Sequence, residues 1–226
     1  MKVGWLAWVV VANLSGCAWL GSADQGAGSV VGEAGPAPAD APVASDDAAA
    51  EGRSAPDGVV PPPEPDADGW LPTPFTADQI REAMPVGAFR DFRNTVADGA
   101  VARSHFEVIE ADAEGALLTY SERRTDGEPT RAPQQGRESW DDLRLHARFP
   151  AADTRWLGEE EVEVPAGRFL ARHYEVLKVE PGRPATVWDY WFAPKLPGPP
   201  VKFTVKQGGI LLVTSELTGF GPVPTR

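Results

Sequence analysis

Trp188-Asp189-Tyr190-Trp191-Phe192 is the stretch that decides how this chain folds. In an extended strand successive side chains point to opposite faces, so Trp188, Tyr190 and Phe192 share one face while Asp189 and Trp191 share the other. Aromatic enrichment without a helical spacing reads as a strand with a core on one side. Trp191 then places a large apolar group on the second face as well. A strand apolar on both faces is normally covered on both, so Trp191 calls for a cover: a helix, another sheet layer, or a ligand or partner.

Outward from this strand the same period of two recurs. Residues 102–108 alternate Ala102, Ser104, Phe106 and Val108 with Arg103, His105 and Glu107, and Asp112-Ala113-Glu114-Gly115 turns the chain into residues 116–122. Residues 142–149 alternate Leu143, Leu145, Ala147 and Phe149 with Arg144, His146 and Arg148, which predicts another strand. A hairpin over 159–179 turns at Pro165-Ala166-Gly167, and 201–205 pairs through Gln207-Gly208-Gly209 with 210–217. About nine strands and no repeated βα unit predict a mainly β domain, an antiparallel curved sheet forming a sandwich or half-barrel. One short helix at the start of that domain packs on it. Thr76 and Gln79 have the spacing of a capping box, Phe75 and Ile80 that of a hydrophobic staple, and Pro85 stops the helix over 77–84. Ile80, Ala83 and Met84 lie on one face of it.

Glu161-Val162-Glu163-Val164-Pro165-Ala166-Gly167-Arg168-Phe169, followed by Tyr190-Trp191-Phe192-Ala193-Pro194 and Leu196-Pro197-Gly198, resembles a set of uncharacterised bacterial envelope proteins. Their valine-rich strand turns at Pro-Ala-Gly and is followed by a Tyr-Trp-Phe-Ala-Pro strand. The resemblance covers about residues 160–217 and implies an all-β, exported and often lipidated protein, with no catalytic residue to carry across. More distantly, a curved sheet with a helix against it is similar to periplasmic carriers and outer-membrane receptors of lipoprotein acyl chains, at the level of fold alone.

The N-terminus carries an address. Lys2 is a short positive region, residues 3–14 are a twelve-residue apolar stretch too short to span a bilayer, and Leu14-Ser15-Gly16-Cys17 closes it. Those four residues resemble a lipobox, which implies cleavage after residue 16 and lipidation of Cys17, the one cysteine in the chain. Ala18 in place of an aspartate points to the outer membrane. Residues 22–69 contain no aromatic, leucine or isoleucine and carry ten acids against one base, Arg53. Such a segment cannot bury enough apolar surface to offset chain entropy. The chain therefore divides into a signal peptide over 1–16, a lipidated tether over 17–69 and a β domain over 70–226, the tether spanning roughly 40 Å as a coil.

Chemistry is sparse. There is no Gly-x-Ser-x-Gly elbow, no Gly-rich phosphate loop and no metal-ligand spacing around His105, His146 or His173, so neither a cofactor nor a metal is expected. His105 and His146 fall on the polar parity of their strands and read as solvated. Asp141-Asp142 and Glu159-Glu160-Glu161 read as solvated edges rather than acid/base pairs, because strand neighbours face opposite ways. Net charge is −12, and arginines such as Arg123, Arg124, Arg137 and Arg144 are interspersed with acids, which excludes a nucleic-acid footprint. The expectation is a non-enzymatic, lipid-anchored envelope protein whose β domain binds or scaffolds. Trp191, Ile80 and Met84 form its candidate ligand or partner surface. The alternatives are a carrier or receptor for acyl chains or another hydrophobic ligand, and an accessory subunit of an envelope enzyme.

Overall fold

The computed structural model describes residues 61–222. Leu14, Ser15, Gly16 and Cys17, with the tether up to residue 60, lie outside the described residues. The domain is one nine-stranded antiparallel sheet in the order β4-β3-β2-β1-β9-β8-β7-β6-β5. Its strands are β1 (Phe89–Val96), β2 (Val101–Ala111), β3 (Gly115–Arg124), β4 (Gln134–Ser139), β5 (Thr154–Val164), β6 (Gly167–Lys178), β7 (Thr186–Phe192), β8 (Lys202–Gln207) and β9 (Ile210–Gly221). Consecutive strands pair with each other except at one place. The two meanders β1–β4 and β5–β9 meet where β1 pairs with β9.

A two-sheet sandwich is therefore not the architecture; the single sheet curls instead. Ala166, in the β5–β6 turn, donates its N–H to the Leu217 carbonyl of β9 at 3.0 Å although β7 and β8 lie between those strands in the sheet. The contact buries Val162, Val164 and Ala171 with Ala193, Leu196, Val201 and Leu217 in a small cluster of their own.

The main core lies on the face that carries Tyr190 and Phe192. Helix α1 (Ala77–Ala83) begins with the expected capping box: Gln79 N–H donates to Thr76 Oγ1 at 3.2 Å, and Thr76 N–H to Gln79 Oε1 at 2.9 Å. It sits at the start of the β domain rather than of the chain, and it is not alone. The strand expected over 142–149 is instead helix α2 (Trp140–Leu145) followed by turns. Ser139 caps it by accepting the Asp142 N–H at 3.0 Å, acids occupy its first turn, and Trp140 and Leu143 meet the core three residues apart. The alternation of Leu143, Leu145, Ala147 and Phe149 is coincidental, since Leu145 is exposed. Both helices cover Phe106, Val108, Leu118, Tyr174 and Phe192, with Phe149 stacked on Tyr190 at 5.1 Å.

The chain is held before Trp70. Asp66 accepts from the Trp70 N–H at 2.9 Å and pairs with Arg148 at 3.0 Å, while Arg148 lies 4.8 Å above the Trp70 ring and Ala151 donates to the Gly69 carbonyl. Residues 66–70, which straddle the expected start of the domain, are thus stapled to the segment leaving α2.

These packing roles separate two substitutions on α1. Thr76→Ala removes a cap and is expected to lower stability by about 1 kcal/mol. Ile80→Ala opens a cavity in the core and is expected to cost about 2–5 kcal/mol. Urea unfolding of the two variants checks both the order and the gap.

Candidate functional site

The face of the sheet opposite the helices carries one continuous transverse row that joins a tryptophan to three arginines. Reading register across the strands, Arg123 of β3 lies opposite Arg103 of β2, Arg103 opposite Arg93 of β1, Arg93 opposite Glu216 of β9, Glu216 opposite Lys202 of β8, Lys202 opposite Trp191 of β7 and Trp191 opposite His173 of β6. Directly opposed residues point the same way with Cβ atoms about 4.5–5.5 Å apart. Seven consecutive positions across seven strands thus form one continuous strip.

At the Trp191 end the strip is tightly organised. The His173 imidazole stacks on the Trp191 indole at 4.1 Å and 23°. Glu160 Oε1 accepts from Trp191 Nε1 at 2.7 Å and lies 2.9 Å from His173 Nδ1. His173 Nε2 faces Asp189 Oδ1 at 3.1 Å, and Asp189 Oδ2 accepts from Thr204 Oγ1 at 3.0 Å and Lys206 Nζ at 3.2 Å. Asp189 is only 4% exposed. Burial alone would raise its pKa, but the bonds from Lys206, His173 and Thr204 outweigh burial and hold it below the ordinary aspartate value. Lys202 Nζ lies 5.6 Å from the Trp191 ring centroid and pairs with Glu216 at 3.5 Å. The hydroxyl of this network, Thr204, serves Asp189 and not the imidazole, so the arrangement is a rigid charged platform around a half-buried indole.

The other end of the strip is basic. Arg93 pairs with Glu216 at 2.6 Å, and Arg123 donates to the Gly127 carbonyl at 3.0 Å. All three arginines are exposed. Like charges directly opposite each other destabilise a sheet, yet here they occupy three neighbouring strands of a chain whose net charge is −12.

The structure separates the residues that sequence reasoning grouped. Ile80 and Met84 are core residues, 3% and 1% exposed, on the helix side with Phe192. Trp191 is on the other side, packed against the small cluster of Val162, Ala171 and Val201, with the His173 ring stacked on it and the Glu160 carboxylate accepting from its indole N–H. His105 is half-exposed as expected of a solvated residue, held by Asp91 at 2.7 Å and Glu107 at 3.4 Å. His146 departs from that expectation: both its ring nitrogens are buried without a partner, and burial lowers its pKa. Sequence reasoning also missed the arginine row. Their spacing along the chain, 93, 103 and 123, acquires meaning only through strand register. Among the described residues no group of three or more His, Cys, Asp or Glu is arranged to hold a metal ion. A surface cleft of about 250 Å³ lies away from the strip, near the entry of the tether, where Arg144 and Arg148 line it beside Asp66 and Leu71.

No family model matches the chain, and no curated protein matches it. Similar solved structures include a protein assigned as exported, with a YmcC-like fold, from Bacteroides fragilis: 13% identity, TM-score 0.43, covering 63% of this chain and 100% of that one. A protein assigned as a lipoprotein from Parabacteroides distasonis is 10% identical with a TM-score of 0.44, covering 61% of this chain and 97% of its own. A chain of the Pseudomonas aeruginosa MucA/MucB complex is 14% identical with a TM-score of 0.43, covering 66% of this chain and 56% of its own.

The network around Asp189 has a pH signature. A carboxylate whose folded pKa is depressed contributes stability that is present above its unfolded pKa, near 3.8, and is lost as pH falls through the lower folded value. Asp189→Asn is therefore expected to cost about 1–3 kcal/mol at pH 7. The gap to the parent protein should close as pH falls below about 4, as denaturant midpoints measured from pH 7 to pH 2 would register.

Proposed function

We propose that this chain is a lipid-anchored protein of the bacterial cell envelope, held to the outer membrane through Cys17, whose β domain binds an envelope protein with an acidic surface. The observation that carries the reading is the transverse strip. Binding hot spots concentrate at tryptophan and arginine held in place before the partner arrives. Here a braced tryptophan and three adjacent arginines lie on one face, and both helices lie on the other. A row of like charges that works against folding is understandable when an anionic partner neutralises it. The composition of residues 22–60 fits the same reading: a tether of that length would let the face search the space beside the membrane while the anchor kept it local.

Two experiments test the two halves of this proposal. Cys17→Ser removes the thiol that forms the thioether, so acylation and partitioning into detergent should both be lost; acylated, membrane-bound protein from that variant would contradict the anchor. For the face, a photo-crosslinking residue at position 103 of the full chain in intact cells should trap one discrete protein. Adding Arg123→Glu should reduce that trapping at least tenfold, and a crosslinker at the exposed position 179 should not trap it. Trapping of lipid alone, or of the same protein regardless of Arg123, would reject the face. Arg103→Thr should leave stability unchanged or raise it by a few tenths of a kcal/mol, since it relieves like-charge repulsion, and thermal melts of that variant distinguish a binding role from a structural one.

A further inference from the structure

Arg90 lies in β1 within the β1–β9 pairing, 1% exposed, and is among the largest side chains that the fold buries completely. Its Nη1 donates to the Phe89 carbonyl at 2.8 Å, while Nε and Nη2 are buried with no hydrogen-bond partner. No carboxylate pairs with it among the described residues. Desolvation lowers its pKa to about 10, so it remains a cation at neutral pH. An unpaired buried charge is among the costliest features a fold can hold.

The two idle nitrogens are not an arbitrary pair. Nε–H and the neighbouring Nη2–H point the same way from the planar guanidinium and form the fork that grips a carboxylate through two parallel hydrogen bonds. The surroundings are apolar. Arg90 is opposite Phe106 on one neighbouring strand and Phe220 on the other, so all three project from one face. Phe106 is core, whereas Phe220 is 37% exposed. Phe169, on the β5–β6 hairpin, meets Phe220 edge-on at 6.0 Å. The end of that hairpin is held by the Ala166–Leu217 backbone bond and by the small apolar cluster it forms with Leu196, Val201 and Leu217. A movement of the hairpin that loosens this cluster would part Phe169 from Phe220 and open a path toward the fork.

We propose that Arg90 is the receptor for the carboxylate of an amphiphilic ligand whose apolar body passes out between Phe220 and Phe169. The site is separate from the Trp191 strip and does not depend on the protein-binding reading. It explains why a cation without a partner is kept in the core: the partner arrives with the ligand, and the hairpin closes over both.

The test uses the full mature chain carrying Cys17→Ser, so that its own acyl groups are absent, with calorimetric titration and thermal shift. Palmitate should bind at least tenfold more tightly than hexadecanol or hexadecyl phosphate and should raise the melting temperature. Arg90→Met should melt at the same or a higher temperature without ligand and lose the preference for palmitate. Arg90→Lys keeps the charge without the fork, so its preference should fall at least fivefold, and it covers the case in which Arg90→Met fails to fold. Equal binding of palmitate and hexadecanol to the parent chain, equal binding of hexadecyl phosphate, or a preference that survives in Arg90→Lys would each overturn the proposal.

Discussion

The pairing of β1 with β9 is the constraint on which the domain depends. Each meander could form from local hairpins, but neither alone has the width to place a transverse strip or enclose a core. Joining them requires the first and last strands of the sheet to find each other across more than a hundred residues, and both faces of the junction bear marks of that requirement. On the helix side, Asn94 of β1 donates to Ser104 of β2 at 2.9 Å and accepts from Ser215 of β9 at 2.7 Å. On the other side, Arg93 pairs with Glu216. A slip by one residue would send these groups, and the apolar pairs Phe92–Leu217 and Val96–Val213, to the wrong faces, so polar contacts and apolar burial set the register together here.

From this junction the two faces acquire different work. The helix side is filled with rings and aliphatic side chains beneath α1 and α2, and its stability is that of a packed core. The other side has no helix over it and is organised by cross-strand pairs of opposite charge, by stacking and by bonds to the carboxylates of the buried Asp189 and the exposed Glu160. A surface built this way contributes modestly to stability but holds its side chains in place, which favours recognition. Arg90 belongs to the first face yet follows neither pattern, being buried like core and charged like surface.

The local parts of this fold were legible in the sequence. Alternation in Trp188-Asp189-Tyr190-Trp191-Phe192 placed the two sides of β7, and Thr76 with Gln79 placed the start of α1, because both signals involve only neighbours along the chain. Helix α2 was misread since Leu143, Leu145, Ala147 and Phe149 mimic a strand; the competing signal was Ser139 followed by Asp141 and Asp142, an N-cap with acids in the first turn. Strand β1 hid for a different reason. Its core face alternates Arg90 and Asn94 with Phe92 and Val96, so polar groups interrupt the run of apolar residues that alternation expects. The arginine row and the cover of Trp191 depend on register between distant strands, which periodicity along one chain cannot express.

Native-state hydrogen exchange along β1 and β9 tests most directly whether this junction organises the molecule. If the two meanders form one cooperative unit, the junction-facing amides of Arg93, Thr95, Thr214 and Glu216 should exchange only through global unfolding, with the same free energy and denaturant slope as the amides joining β2 to β3 and β6 to β7. Exchange of the junction at distinctly lower free energy, with both meanders still protected, would show two units that merely touch, and the strip crossing them could not act as one surface.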